Sequence, residues 1–174
     1  MANTYVLINS YTVGSGGVAS VSLLSIPATY TDLLILASVR TLRSTNASNF
    51  YMRINGSSAT NYDLKRLEGS GTAASSDGYT SLDGMVIGTA NGSTSTASVF
   101  SSFSIYIPNY LSSNKKSVSV ESVSENNATA AYADLTVGLW NLTSAITSVS
   151  FHELAANTNI DQYSTFYLYG IKNS

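Results

Sequence analysis

Hydrophobic and polar residues alternate with a period of two along most of the chain, most clearly between Val99 and Val123. From Val99 to Ile107, Val99, Phe103, Ile105 and Ile107 share one side, while Phe100, Ser102, Ser104 and Tyr106 share the other. On a helix each set would scatter around the axis; on a strand the two sets face opposite sides of a sheet. Pro108 has no N–H to donate and ends the run, and Asn109, Ser112, Ser113 and Asn114 supply turn chemistry. Ser117–Val123 then alternates again, Val118 and Val120 against Ser117, Ser119 and Glu121. The two runs predict a central β-hairpin with a long connection.

The same period predicts strands at Tyr5–Tyr11, Val18–Ile26, Asp32–Arg40, Asn49–Ile54, Ala133–Trp140, Ile146–Leu154 and Ser164–Lys172, with a short one at Met85–Ile87. Leu34 and Leu36 make the start of Asp32–Arg40 apolar on both faces, as in the middle of a sheet. Asn55-Gly56 reads as a tight turn. Tyr62–Glu68 fits a short helix through Leu64 and Leu67, but alternation fits about as well, and strand is the preferred reading. Gly69–Tyr79, Thr89–Thr96 and Glu125–Ala130 read as loops, the first low in complexity and mobile, and Val13–Gly17 as a flexible break. No long segment has a helical period, and no repeat is evident. The pattern predicts one all-β domain over residues 1–174, a jelly-roll-like β-sandwich of about eight to ten short strands.

Composition narrows the function classes. The 174 residues are 44% apolar, enough for one core, but only 10% charged, against ~25% in ordinary domains. Solvation falls to Ser, Thr and Asn. A net charge of −2 gives no electrostatic pull toward nucleic acid or acidic lipid. There is no Cys, hence no disulfide framework and no thiolate chemistry. No basic, apolar leader and no membrane-length apolar run is present, so the chain is expected to fold in a cytosol.

Candidate chemistry is sparse. His152 is the single histidine and alternates with serines, which gives it no triad partner and no companion metal ligands. Ser112-Ser113-Asn114-Lys115-Lys116 contains an S-x-x-K spacing, but in a hairpin loop instead of at a helix start. Gly14–Gly17 lacks the phosphate-binding spacing. Asp63, Glu68, Asp77 and Asp83 could supply calcium oxygens, yet match no EF-hand loop, and solvated carboxylates are the simpler reading. The sequons at Asn46, Asn55, Asn91, Asn127 and Asn141 arise by chance in a chain this rich in Asn, Ser and Thr. No cofactor is expected. Twelve Tyr and one Trp raise the question of stacking platforms, although Tyr also simply suits a pleated surface. Tyr106, Tyr110 and Trp140 are the first exposed candidates for glycan stacking. A nucleic-acid role would need a basic groove, and Lys115-Lys116 and Lys65-Arg66 are isolated pairs.

Three stretches carry a family resemblance: Ile105–Tyr132 (IYIPNYLSSNKKSVSVESVSENNATAAY), Leu135–Phe151 (LTVGLWNLTSAITSVSF) and Gln162–Ile171 (QYSTFYLYGI). Together with Tyr5–Arg40 they are similar to small β-rich virion proteins of tailed bacteriophages, marine and cyanobacterial phages among them. The resemblance implies a structural, non-enzymatic virion component with a β-sandwich fold, assembled in the host cytoplasm, and supplies no catalytic residues. Capsid decoration or cement is the leading expectation, with the major capsid protein or another virion protein as partner. The alternative is a receptor-binding fibre or spike tip that reads host glycans through Tyr106, Tyr110 and Trp140. A start at its own Met, without heptads or shaft repeats, favours decoration. Because Phe100 and Tyr106 lie opposite the core side of their strand, a homotrimer is expected, with Phe100, Tyr106 and Trp140 near the contact.

Overall fold

Alternation becomes pairing in the structure, a computed structural model that describes residues 4–125, 131–154 and 158–172. Twelve strands and no helix run through these residues. They are β1 (Tyr5–Thr12), β2 (Ser20–Leu23), β3 (Asp32–Val39), β4 (Ala47–Ile54), β5 (Tyr62–Ser70) and β6 (Ala73–Leu82). After them come β7 (Met85–Asn91), β8 (Ser101–Ile107), β9 (Lys116–Ser124), β10 (Tyr132–Trp140), β11 (Val149–Glu153) and β12 (Thr165–Ile171). Eight form one sheet in the order β1-β12-β3-β8-β9-β10-β5-β6, and four form a second in the order β2-β11-β4-β7. Every neighbouring pair is antiparallel. The β8–β9 hairpin read first from the sequence occupies the two middle places of the large sheet.

The sheets face each other across an aromatic core. Phe103 and Phe166 reach in from the large sheet, Phe50 and Phe151 from the small one. Phe50 lies 5.5 Å from Phe103 and 6.2 Å from Phe151, and Phe151 lies 5.0 Å from Phe166, separations at which aromatic pairs add to their burial. Leu23, Leu33, Ile35, Met52, Ile54, Ile105 and Leu168 fill the space around them. This is the β-sandwich expected, but with twelve strands and an eight-plus-four division, where a simple jelly roll shares about eight strands between two Greek keys.

Most of the additional pairing falls in two stretches read as loops. Gly69–Tyr79 is largely strand: Ser70 pairs with Ala73 across a two-residue turn in which Gly71 adopts φ +57°, and β6 then runs back along β5. An ion pair holds the hairpin, Asp77 taking two hydrogen bonds from Arg66 at 2.8 and 3.3 Å. Thr89–Asn91 continues β7 because the Thr89 N–H finds a carboxylate oxygen of Asp134 at 3.0 Å. Residues 92–96 are loop as expected, and the loop runs on to residue 100, so β8 begins at Ser101, two residues after the expected start at Val99. Tyr62–Glu68 is strand, and Asn55-Gly56 is a turn with both residues at positive φ. From residue 126 on, the turn expected at Glu125–Ala130 lies outside the described residues.

One strand keeps the expected alternation but turns its aliphatic side outward. In β10 the aliphatic residues Leu135 and Val137 face solvent, while Asp134, Thr136, Gly138 and Trp140 face inward. Packing at Gly138 fixes this choice. A Cβ there would come within 2.2 Å of the Met85 sulfur, so the Met85 side chain lies in space that any other residue at 138 would take from it. Trp140 is turned inward by the same parity. It is 1% exposed, with the Lys116 ammonium 6.0 Å from its ring centre.

Candidate functional site

Register on the large sheet aligns outward side chains into rows. One row runs Tyr167–Leu36–Ser104–Glu121–Leu135–Leu67 across β12, β3, β8, β9, β10 and β5. The next, two residues along, runs Tyr169–Leu34–Tyr106–Ser119–Val137–Lys65. Val123 lies beside the first row on the other side. Leu67, Val137 and Val123 are 57%, 53% and 50% exposed, and Leu36 and Leu135 are also open. Scattered apolar residues are normal on a surface, but here Leu67, Leu135, Val137 and Val123 adjoin over three adjacent strands, β5, β10 and β9, with Leu36 two strands further on in β3.

Three shallow furrows cross this face. One of about 560 Å³ runs past Leu36, Val123 and Tyr167 over a floor of Ser38, Ser102 and Ser104. A second of about 420 Å³ is bounded by Glu121, Val123 and Leu135, and a third of about 440 Å³ by Lys65, Leu67 and Val137. Glu121 and Lys65 are exposed on this face, Lys65 two residues along β5 from Asp63, and neither belongs to an ion pair within the described residues. Walls of Leu, Val and Tyr over hydroxyl floors can hold a surface or a ligand.

The structure separates the residues singled out from the sequence. Tyr106 does lie on this face, half-exposed, but its hydroxyl donates to Asp32 at 2.8 Å. That bond, more than burial, raises the phenol above its ordinary pKa. Tyr110 and Trp140, expected as exposed rings, are interior. Tyr110 is fully buried and donates to the Pro27 carbonyl, and Trp140 lies under Lys116. Neither presents a ring to a glycan or to another subunit; the parity of β10 turns Trp140 inward, and the chain after Pro108 tucks Tyr110 beneath 27–30. Phe100 is half-buried ahead of β8 and lines a separate cleft of about 270 Å³ with Tyr163.

The remaining candidates resolve into structural roles. His152 is half-buried in β11, its ring 5.7 Å from that of Tyr51, and burial followed by the Arg53 charge lowers its pKa. Lys116 of the S-x-x-K run donates to the carbonyls of Ser112, Asn114 and Thr143, closing the loop between β8 and β9. Asp77 and Glu68 pair with Arg66, Asp83 pairs with Arg53, and Asp63 accepts from Asn141 and the Ser81 N–H. Among the described residues no three His, Cys, Asp or Glu gather as metal ligands.

Two polar centres went unread in the sequence. Buried Arg40 gives five hydrogen bonds, to the Ser93, Ser95, Thr96 and Val99 carbonyls and the Ser95 hydroxyl, and so holds the 92–100 loop. Asn91, fully buried, donates to the Val99 and Glu125 carbonyls and accepts from Ser124. No local pattern marks either, because their partners lie far along the chain. Comparison of the chain with protein-family models, with curated proteins and with solved structures finds no match.

Proposed function

We propose that the protein is a structural, non-enzymatic component of the exterior of a phage particle, a capsid decoration or cement protein whose partner is the major capsid protein or another virion protein. The observation that carries this reading is the open apolar face of the large sheet, where Leu36, Leu67, Val123, Leu135 and Val137 stand in adjacent rows. Laid against protein, such a face gains hydrophobic stabilisation without salt-sensitive ion pairs. The resemblance to virion proteins supplies the setting, and the face supplies the means. The receptor-binding alternative keeps only Tyr106 of its three rings, because Tyr110 and Trp140 are interior.

Particles made without the protein test this. They should assemble, yet release their contents at a lower temperature than complete particles, and purified protein added back should restore the difference. Particles of unchanged thermal stability that no longer adsorb to the host would favour the receptor-binding reading. Hydrolysis of host polysaccharide by the purified protein would defeat both.

A further inference from the structure

The part of the open face over β9, β10 and β5 carries two charges of opposite sign in a definite relationship. Glu121 on β9 lies in the row of Leu135, and Lys65 on β5 lies in the row of Val137. Their backbone positions are therefore two strands apart, about 10 Å, and one two-residue step apart along the strands, about 7 Å, and the Lys65 side chain reaches one strand further, over β6. Both are exposed and neither has an ionic partner among the described residues. Lys65 lies along the face over Gly78, where a Cβ would come within 2.5 Å of its Nζ. The absence of a side chain at position 78 leaves the ammonium a low, flat seat.

We propose that this face pairs with the same face of a second copy of the chain about a two-fold axis that crosses β10 between Leu135 and Val137. This deepens the docking reading above, on which it rests, by naming the first occupant of the face. The midpoint between the backbone positions of Glu121 and Lys65 falls on β10, between the Leu135 and Val137 rows, within the swing of the four-carbon Lys65 stem. A two-fold axis lying between two stacked sheets at that point brings Glu121 of each copy over Lys65 of the other. An isologous contact needs this property, residue i meeting j and j meeting i. The same operation sets Leu67 and Leu135 against their counterparts, so the two charge pairs flank an aliphatic centre. Stacking at the usual face-to-face separation of about 10 Å leaves room for these side chains to interdigitate. A three-fold ring would instead require two different patches on each subunit.

Sedimentation velocity at micromolar concentration, on the full chain, is the test. The wild type should sediment as a dimer. Glu121→Lys sets like charges against each other at both symmetric positions and should weaken dimerisation at least about tenfold. Lys65→Glu should do the same, and the double variant Glu121→Lys, Lys65→Glu should return to the dimer, because both pairs are reversed together. A monomeric or trimeric wild type overturns the proposal, as does a double variant that stays monomeric with a wild-type circular dichroism spectrum. A monomer that still binds particles overturns the self-pairing while leaving the docking reading intact.

Discussion

Asp134 accepts the backbone N–H of Thr89 at 3.0 Å, and through this bond the large sheet closes the open edge of the small one. Among the described residues β7 has β4 as its one sheet neighbour, and its other side has no full strand to meet, only the parallel bridge at its end where the Asn91 carbonyl accepts the Thr41 N–H at 2.8 Å. Two residues along, the Asn91 N–H is taken by the Ser101 hydroxyl of β8 at 2.9 Å. Inward side chains of one sheet thus stand in for a missing strand of the other. Edge protection of this kind prevents pairing with foreign chains.

Asp134→Ala should therefore destabilise the fold well beyond an ordinary side-chain truncation. It orphans the Thr89 N–H and the Ser122 hydroxyl and removes a carboxylate 3.9 Å from Arg66. The expected loss is about 2–3 kcal/mol, mostly the cost of leaving buried donors unmade. Urea unfolding measures it, as a lower midpoint at unchanged slope. A loss below about 0.5 kcal/mol, the range of featureless surface changes, would show that the carboxylate does not hold the edge.

Trp140 is the single tryptophan and reports the interior directly. Its emission should be blue-shifted in the folded protein, resist quenching by acrylamide, and move to the red on unfolding. An emission maximum that does not move in denaturant would place the ring at the surface.

His152 sets an acid-side dependence. Burial first, and then the Arg53 charge, hold its folded pKa below 6.5, while Asp83 and Glu153 pull the other way. The unfolded chain therefore takes up a proton at a higher pH than the folded one. Stability from this group is complete above pH 6.5 and is lost as pH falls from there through the folded value. Thermal midpoints measured between about pH 5 and pH 7 should fall on the acid side in the wild type, and less steeply in His152→Gln. Parallel slopes would remove His152 as the cause.

What the sequence made legible was parity. β3, β8, β9, β11 and β12 sit where alternation put them, and the Asn55-Gly56 turn follows from residues that tolerate positive φ. β6 was hidden because almost all of its residues are exposed, so no face had to be apolar and no alternation was written into it. For β10 the two faces were legible, but not which one is inside. Leu135 and Val137 look like core until Gly138 is known to lie against Met85 and Trp140 against Lys116. The open outer face of the large sheet was illegible for the same reason, since alternation alone does not say which side of a strand is covered. Arg40 and Asn91 were missed because a buried polar residue is explained by its partners, and sequence spacing does not show them.

The central claim is that the outer face of the large sheet is what the protein works through, and one double variant tests it. Leu135→Asp with Val137→Asp changes two side chains that are 43% and 53% exposed, so the isolated fold should keep its spectrum and melt close to the wild type. Each side chain stands to contribute about 1 kcal/mol by burying its open half, and each new carboxylate adds a desolvation cost. Binding of the variant to particles made without the protein should be weaker by at least about 100-fold. A folded double variant that binds as tightly as the wild type would contradict the account.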